Sequence, residues 1–302
     1  AEMGTYGRGE IAELCSWMAP DVAVITAVGP VHLERFGSEE KIVQAKAEIL
    51  ADARCCVLVV DDQRIADLAN ACEAAGKRLW RVTTGSPDPE RGGTEVSHPS
   101  ISEPTVDVSV VKHPDGLEVR ARGEELVNRV AVPAQPGNVA CAVAVALELG
   151  VPAGEIATRL GSLPVAPHRL ESQVAPGGFV VLDDTYNANP AGVRVALAAL
   201  AEAARDGGRR VVATPGMVEL GPCQEEENAR FATEAARVSS DLVVVGRTNR
   251  RALVRGFGQA VRRGSGGPIV VGRREQAVTW VREHLGPGDA VLYENDLPDH
   301  YP

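Results

Sequence analysis

This chain of 302 residues carries 31 basic side chains, yet only Lys41, Lys46, Lys77 and Lys112 are lysines, so a lysine kept at an awkward position points to a property that arginine lacks. Lys46 is at such a position. Ser38 is a good helix N-cap, and Glu39 and Glu40 supply the negative charge that a helix start favours. At about 100° per residue, Ile42, Val43, Ile49 and Leu50 form one apolar arc with Lys46 at its middle. An ammonium there must snorkel to water, meet a carboxylate or lose its charge, because burying it unpaired is expensive. Arginine stays charged in all three cases, whereas a desolvated lysine becomes a neutral amine and a nucleophile.

Two other places carry residues that could do chemistry. His32 follows the apolar run Asp21 to Val28, which ends at Gly29-Pro30 and reads as a parallel strand covered on both faces. That puts the imidazole at the carboxyl edge of a sheet, where open α/β folds bind ligands, although a lone histidine there is also an ordinary loop residue. The string Asp183-Asp184-Thr185-Tyr186-Asn187-Ala188-Asn189-Pro190 closes the strand Phe179 to Asp183. An Asx-rich turn with Pro190 at the first helical position explains its second half but not the acidic pair. Asp61 and Asp62 close the strand Arg54 to Val60 and need be no more than a turn and first-turn helix charges.

The elements that must position these residues are α/β throughout. A helix from Ile11 to Met18, the two strands just named, a helix from Arg64 to Ala75 and a strand from Arg78 to Thr83 come first. Gly85 to Pro104 reads as an exposed loop, and Val106 to Val111, Leu117 to Ala121 and Leu126 to Val132 as a small antiparallel patch. An alanine-rich helix opens at Asn138, a natural N-cap, and a short one spans Pro152 to Leu163. Leu163-Pro164-Val165-Ala166-Pro167 reads as a linker, dividing the chain into domains 1–163 and 168–302. From Phe179 onward, strands and helices alternate with short links to Glu294, the pattern of a mostly parallel, Rossmann-like sheet. No G-x-G-x-x-G joins a strand to a helix, so a dinucleotide fingerprint is absent.

Composition narrows the function. A formal charge of −10 and a pI near 5.2 argue against a nucleic-acid surface, while a small nucleotide bound through a divalent cation needs no basic protein. No uninterrupted apolar run has the length of a membrane span. The six cysteines form no C-x-x-C pair and read as buried free thiols, so the expected compartment is the cytoplasm.

The run His32-Leu33-Glu34-Arg35-Phe36-Gly37-Ser38, followed by Ala45-Lys46-Ala47-Glu48-Ile49, resembles the central, ATP-hydrolysing domain of the Mur ligase family. The acidic string at 183–190 resembles the branch of that family that adds D-alanyl-D-alanine to a UDP-muramoyl peptide. Gly216-Met217-Val218-Glu219-Leu220-Gly221 matches a further signature, Gly-x-Met-x-Glu-Leu-Gly. The resemblance implies an ATP-dependent ligase that forms an amide through an acyl phosphate, with ATP and Mg²⁺ as cofactors. It implies that Lys46 is carbamylated by CO2 and, with Glu2 of Glu2-Met3-Gly4 and with His32, holds magnesium. It assigns Arg169 and Asn187 to the ATP phosphates, Asp184 to the ribose and Asn138 to the nucleotide site; an arginine at a linker is equally often an interdomain ion pair. The family's P-loop lies upstream of the Glu-Met-Gly motif, and G-x-x-x-x-G-K-[ST] is not found here, so the chain reads as a fragment without turnover of its own.

The chain also departs from the family pattern. Val59 and Gly137 replace an asparagine and a histidine, and Cys141 replaces a second asparagine. His168 replaces the glycine before Arg169, Asn228 a histidine, and Glu294-Asn295-Asp296 a Lys-Gly-Ser. These changes keep open a ligase with another carboxylate and amine, or a scaffold that retains only the fold.

Overall fold

The computed structural model describes residues 1–29, 33–85, 106–132, 134–164, 166–205, 207–260 and 266–297. The chain divides into two compact units, Ala1–Pro30 with Arg35–Pro164, and Val31–Glu34 with Val165–Pro302.

In the first unit, strands β1 (Val22–Ile25), β2 (Cys55–Val59), β3 (Arg78–Thr83) and β4 (Val108–His113) run parallel in that order. The hairpin strands β5 (Gly116–Ala121) and β6 (Glu124–Val130) extend them antiparallel, so the expected patch is the continuation of one six-stranded sheet. Residues of both parities are buried because both faces are covered. Along β2, Cys55, Val57 and Val59 join a core that also takes in Val139, Val143 and Ile156 from α5 (Pro136–Glu148) and α6 (Ala153–Leu160). Cys56 and Leu58 face the opposite core, with Ile65, Ala69 and Cys72 of α4 (Gln63–Ala74). The sequence places Asn138 at a helix N-cap, but α5 begins earlier. Gln135 is its cap, Pro136 fills the first position, and Asn138 lies within the first turn. The loop expected over Gly85 to Pro104 lies, beyond Gly85, outside the described residues.

The helix carrying Lys46 starts as expected. Lys41 N donates to Ser38 Oγ at 3.4 Å, opening α3 (Glu39–Ala47). It ends sooner than the apolar arc suggests, passing into a tighter 3₁₀ turn at Glu48–Leu50. Two charged side chains hold that turn. Glu48 accepts from Gly9 N at 2.7 Å and Ala12 N at 3.1 Å, satisfying donors at the start of α1 (Glu10–Trp17). Lys77 donates to the carbonyls of Leu50 at 2.6 Å, Ala51 at 2.6 Å and Ala53 at 3.1 Å. A compact ammonium with three donors fits that carbonyl cluster, and a planar guanidinium does not. Scarcity of lysine therefore marks a structural site at Lys77 as well as a chemical candidate at Lys46.

In the second unit the spatial strand order is β11 (Pro268–Val271), β10 (Asp241–Val245), β9 (Arg210–Thr214), β12 (Ala290–Glu294), β8 (Val180–Asp184) and β7 (Glu171–Val174). Strands β8, β9, β10, β11 and β12 are parallel. The alternation read from the sequence recurs almost element for element. Steps from β8 through β9 and β10 to β11 all move one way across the sheet, so right-handed crossovers put α7 (Gly192–Ala203), α8 (Gln224–Val238) and α9 (Arg250–Ala260) on one face. The return from β11 to β12 moves the other way and places α10 (Arg274–His284) on the opposite face. At Gly256 a Cβ would stand 2.1 Å from the Ala229 carbonyl oxygen, which is why α8 and α9 can close together. Two details differ from the expectation. The helix begins at Gly192 rather than Pro190, with Asn189 Oδ1 accepting from Ala191 N and Gly192 N. Strand β7 (Glu171–Val174), antiparallel to β8, carries no apolar pattern because it is an exposed edge.

Cys15, Cys55, Cys56, Cys72 and Cys141 are free and buried, and Cys223 is free and exposed. Burial lifts the Cys141 thiol to about 12, which makes it inert. Among the described residues no helix is long and apolar enough to cross a membrane. For the first unit, Lys77→Met is expected to lower stability by about 1–3 kcal/mol by stranding its carbonyl acceptors, and Lys77→Arg to recover little of that loss. Denaturant unfolding of the three proteins measures both effects.

Candidate active site

The sites build up from the carboxyl edges of the two sheets, each unit taken by itself. In the first unit, Ile42 and Ala45 bury α3, and Lys46 is partly buried beside them. Its Nζ donates to the Ala27 carbonyl at 3.0 Å, in the segment that leaves the end of β1. Among the described residues no ion pair involves it, and burial lowers its pKa from the ordinary lysine value. That shift is in the direction of the neutral amine rather than the ammonium.

The residues expected to join Lys46 stand differently. Glu2 is exposed, and among the described residues no hydrogen bond or ion pair ties it to Lys46. Its neighbour Met3 packs its sulfur 3.9 Å from Cys15 of α1, the helix whose start is capped by Glu48, two residues beyond Lys46. His32 lies outside the described residues. Among the described residues no three His, Cys, Asp or Glu side chains are grouped to hold a metal.

Asp61 and Asp62 take the structural roles open to them. Asp61 accepts from the Thr83 hydroxyl and from Thr84 N at 2.9 Å, joining the ends of β2 and β3. Asp62 caps α4 through Arg64 N at 2.9 Å and pairs with the Arg64 guanidinium at 2.6 Å. Asn138 is exposed in the first turn of α5. A Cβ at the preceding Gly137 would lie 3.6 Å from Thr84 Cγ2 and 3.9 Å from Val59 Cγ2. Two departures from the family pattern, far apart in sequence, are therefore neighbours in space.

In the second unit, structure gathers several predicted residues around the end of β8. The His168 ring nitrogen Nδ1 lies 2.9 Å from Asp183 Oδ2, and Thr185 donates its hydroxyl to Asp183 Oδ1 at 2.6 Å. Burial acts to raise the Asp183 carboxyl, but the Thr185 and His168 bonds outweigh it and hold Asp183 below its ordinary value. Asp184 accepts from Leu170 N at 3.0 Å, and burial raises its carboxyl against the pull of that N–H and of Arg169. Arg169 makes no ion pair among the described residues; its guanidinium lies 4.0 Å over the Tyr186 ring. Arg169, Asp184 and the segment leading to exposed Asn187 thus share one edge.

The adjoining loop after β9 was legible only as a motif. Its Gly216 has φ +84°, and a Cβ there would fall 2.4 Å from Asn228 Oδ1. The buried Asn228 accepts from Met217 N at 2.8 Å and donates to Met217 O at 2.9 Å. Asn249 donates to Pro215 O at 3.1 Å and Met217 O at 2.9 Å, while Asn295 donates to Gly216 O at 2.7 Å. Three amides from three elements fix one short loop. Nothing in the local sequence singles out Asn249, because its partners lie in a loop 32 and 34 residues away. Left-handed backbone accumulates at the same edge, at His168 (φ 57°), Leu170 (φ 56°), Glu219 (φ 62°) and Asn295 (φ 64°). Each conformation costs roughly 1–2 kcal/mol in a residue with a Cβ, a strain that tends to collect at working sites.

Comparison with known proteins agrees with this architecture. The model of the Mur ligase middle domain matches residues 1–126, and that of the Mur ligase glutamate ligase domain matches residues 168–293. The chain is 34% identical to the UDP-N-acetylmuramoyl-tripeptide–D-alanyl-D-alanine ligase of Mycobacterium leprae, over 96% of this chain and 59% of that enzyme. It therefore spans somewhat over half the length of that relative. The crystal structure of MurF ligase from Thermotoga maritima in complex with ADP shares the fold, with a TM-score of 0.71, 23% identity, and 98% of this chain and 63% of that one covered. A bifunctional folylpolyglutamate synthase/dihydrofolate synthase from Yersinia pestis, complexed with AMPPNP and Mn ion, does so with a TM-score of 0.68, 18% identity, and 98% and 62% covered. With two of the family's domains matched in order along most of its length, the chain belongs to the Mur ligase family.

Proposed function

We propose that this chain is part of an ATP-dependent ligase of peptidoglycan precursor synthesis, joining the carboxylate of a UDP-muramoyl tripeptide to the amine of D-alanyl-D-alanine through an acyl phosphate. The observation that carries this reading is the 34% identity, running through both units, to a Mycobacterium leprae enzyme of that name. Buried free thiols and the proposed use of ATP support a cytoplasmic setting for the reaction.

In the second unit, Asp184 accepts a ribose hydroxyl, and Arg169, steadied on Tyr186, meets the phosphates together with Asn187. Asn138 is a further nucleotide residue that the family resemblance implies. Lys46 attacks CO2 as its neutral amine: the nitrogen lone pair forms the N–C bond, a C=O pair moves onto oxygen, and the N–H proton leaves to water. The carbamate so formed is an oxygen donor suited, with Glu2 and His32, to a hard cation such as Mg²⁺. Bound there, Mg²⁺ would offset the repulsion between the carboxylate and the γ-phosphate. Partial burial of Lys46 with no acidic partner among the described residues fits this role, since an ordinary surface ammonium would react poorly with CO2.

A second reading changes only the substrates. Glu294, Asn295 and Asp296 bring acid and amide side chains where the D-alanyl-D-alanine branch has Lys-Gly-Ser, which favours an acceptor amine other than D-alanyl-D-alanine.

Three measurements test these assignments. ATP-dependent phosphate release by the full-length protein is expected with UDP-muramoyl tripeptide and D-alanyl-D-alanine together; release only with another amine would select the second reading. Arg169→Ala in that protein is expected to lose about ten- to a hundredfold in kcat/KM for ATP, the worth of one charge-assisted contact. With ¹³C-labelled bicarbonate, the chain is expected to show a carbamate resonance that grows as pH rises and neutral amine accumulates. The resonance should vanish in Lys46→Arg, and its absence from the unaltered chain would remove the metal-bridging role of Lys46.

A further inference from the structure

The second sheet ends in a carboxyl group to which the nucleotide assignments above give no part. Glu294, the last residue of β12, is 1% exposed, and both of its carboxyl oxygens are buried without a hydrogen-bond partner among the described residues. Its register partner on parallel β8 is Asp184, whose carbonyl accepts from Asn295 N at 3.1 Å, so the two carboxyl residues close adjacent strands side by side. On the other flank, β9 ends in Thr214, whose hydroxyl is occupied by Gly216 N at 2.9 Å. The loop and helix packed over this face contribute Met217, Ala188 and Asn228, all buried and none of them titratable. No basic side chain among the described residues pairs with Glu294, and Asp184 is the charge that acts on it.

Two neighbouring carboxylates in such a place cannot both be ionised cheaply, and the pair must divide its charge unequally. We propose that Glu294 is a positioning residue that carries the proton of this pair, leaving Asp184 as the charged member, and that its ionisation sets the alkaline limit of nucleotide binding at the β8 edge. The geometry decides which residue is protonated. Asp184 has the Leu170 N–H and the nearby Arg169 charge to support a carboxylate, while Glu294 has neither. Burial, and then the charge of Asp184, push Glu294 well above the ordinary carboxylate value, in agreement. Losing that proton would set a second negative charge beside Asp184, against any polyphosphate approaching the edge. The consequence for nucleotide rests on the function proposed above; the division of the proton does not.

Titration of the side-chain carboxyl carbons by ¹³C NMR, on the whole chain, tests the division of charge directly. Glu294 is expected to be neutral at neutral pH and to ionise in the alkaline range, and Asp184→Asn is expected to move that ionisation to lower pH. A Glu294 already ionised at neutral pH, or one that Asp184→Asn leaves unmoved, would overturn the proposal. Stability gives an independent readout. A carboxyl raised in the native state favours folding most at low pH, so stability is expected to fall as pH climbs from about the ordinary value of 4.5 through the native one, and Glu294→Gln should flatten that slope. Mg²⁺–ADP binding across the same pH range reads the functional half. The unaltered chain is expected to weaken about three- to tenfold on the alkaline side, while Glu294→Gln holds its affinity. Equal alkaline loss in Glu294→Gln would defeat the role given to Glu294. If Asp184→Asn leaves ADP affinity unchanged at every pH, the nucleotide assignment fails instead, and the NMR titration still judges the carboxyl pair.

Discussion

An ionisable side chain taken out of water without a partner either changes its charge state or waits for a ligand, because desolvating the charged form costs more than ordinary packing returns. This chain places such groups at the carboxyl edges of both its sheets. Lys46 stands against the backbone beyond β1, where among the described residues the Ala27 carbonyl receives its nitrogen. Glu294 closes β12 with no hydrogen-bond donor to either carboxyl oxygen among the described residues. Burial favours the neutral amine at the first and the neutral acid at the second, so one force shifts a base and an acid in opposite directions.

The folds around these groups explain why burial can be imposed there. Parallel strands with both faces covered leave the carboxyl edge as the one place where loops are free to vary while their anchors are rigid. In the second unit the anchoring is unusually explicit. Asn228, Asn249 and Asn295 hold the loop after β9 from three directions, and Thr185 and His168 fix Asp183 behind Asp184. Left-handed backbone at His168, Leu170, Glu219 and Asn295 is tolerated because these bonds over-determine it. Asn228 stands where the family more often has histidine, and here its amide both accepts from and donates to Met217.

Departures from the family pattern gain meaning from their placement. Val59 and Gly137 sit against each other, so the loss of two polar side chains is one local change in the first unit. The Glu294-Asn295-Asp296 segment is tied into the fold: Asn295 secures Gly216, Asp296 pairs with Arg274 at 2.6 Å, and Glu294 is in register with Asp184 on the adjacent strand.

Much of this was legible from the residues alone. Hydrophobic runs of strand length, helical periodicity and turn residues are local signals, and they located the parallel strands, the Ser38 cap and the strand–helix alternation after Phe179 to within a few residues. The family signatures are local too, which is why Lys46, Asp184 and Arg169 could be singled out. What the sequence missed depended on partners distant along the chain. The edge strand β7 has no pattern of its own and exists because β8 pairs with it. Lys77 looked unremarkable until three carbonyls from residues 24 to 27 positions away converged on it. Glu294 read as part of a departure from the family's Lys-Gly-Ser, and only its alignment with Asp184 beneath a closed apolar layer made it a buried acid. Secondary structure and motif identity follow from neighbours in sequence; desolvation and hydrogen-bond supply are set by neighbours in space, and those fix the charge a side chain can carry.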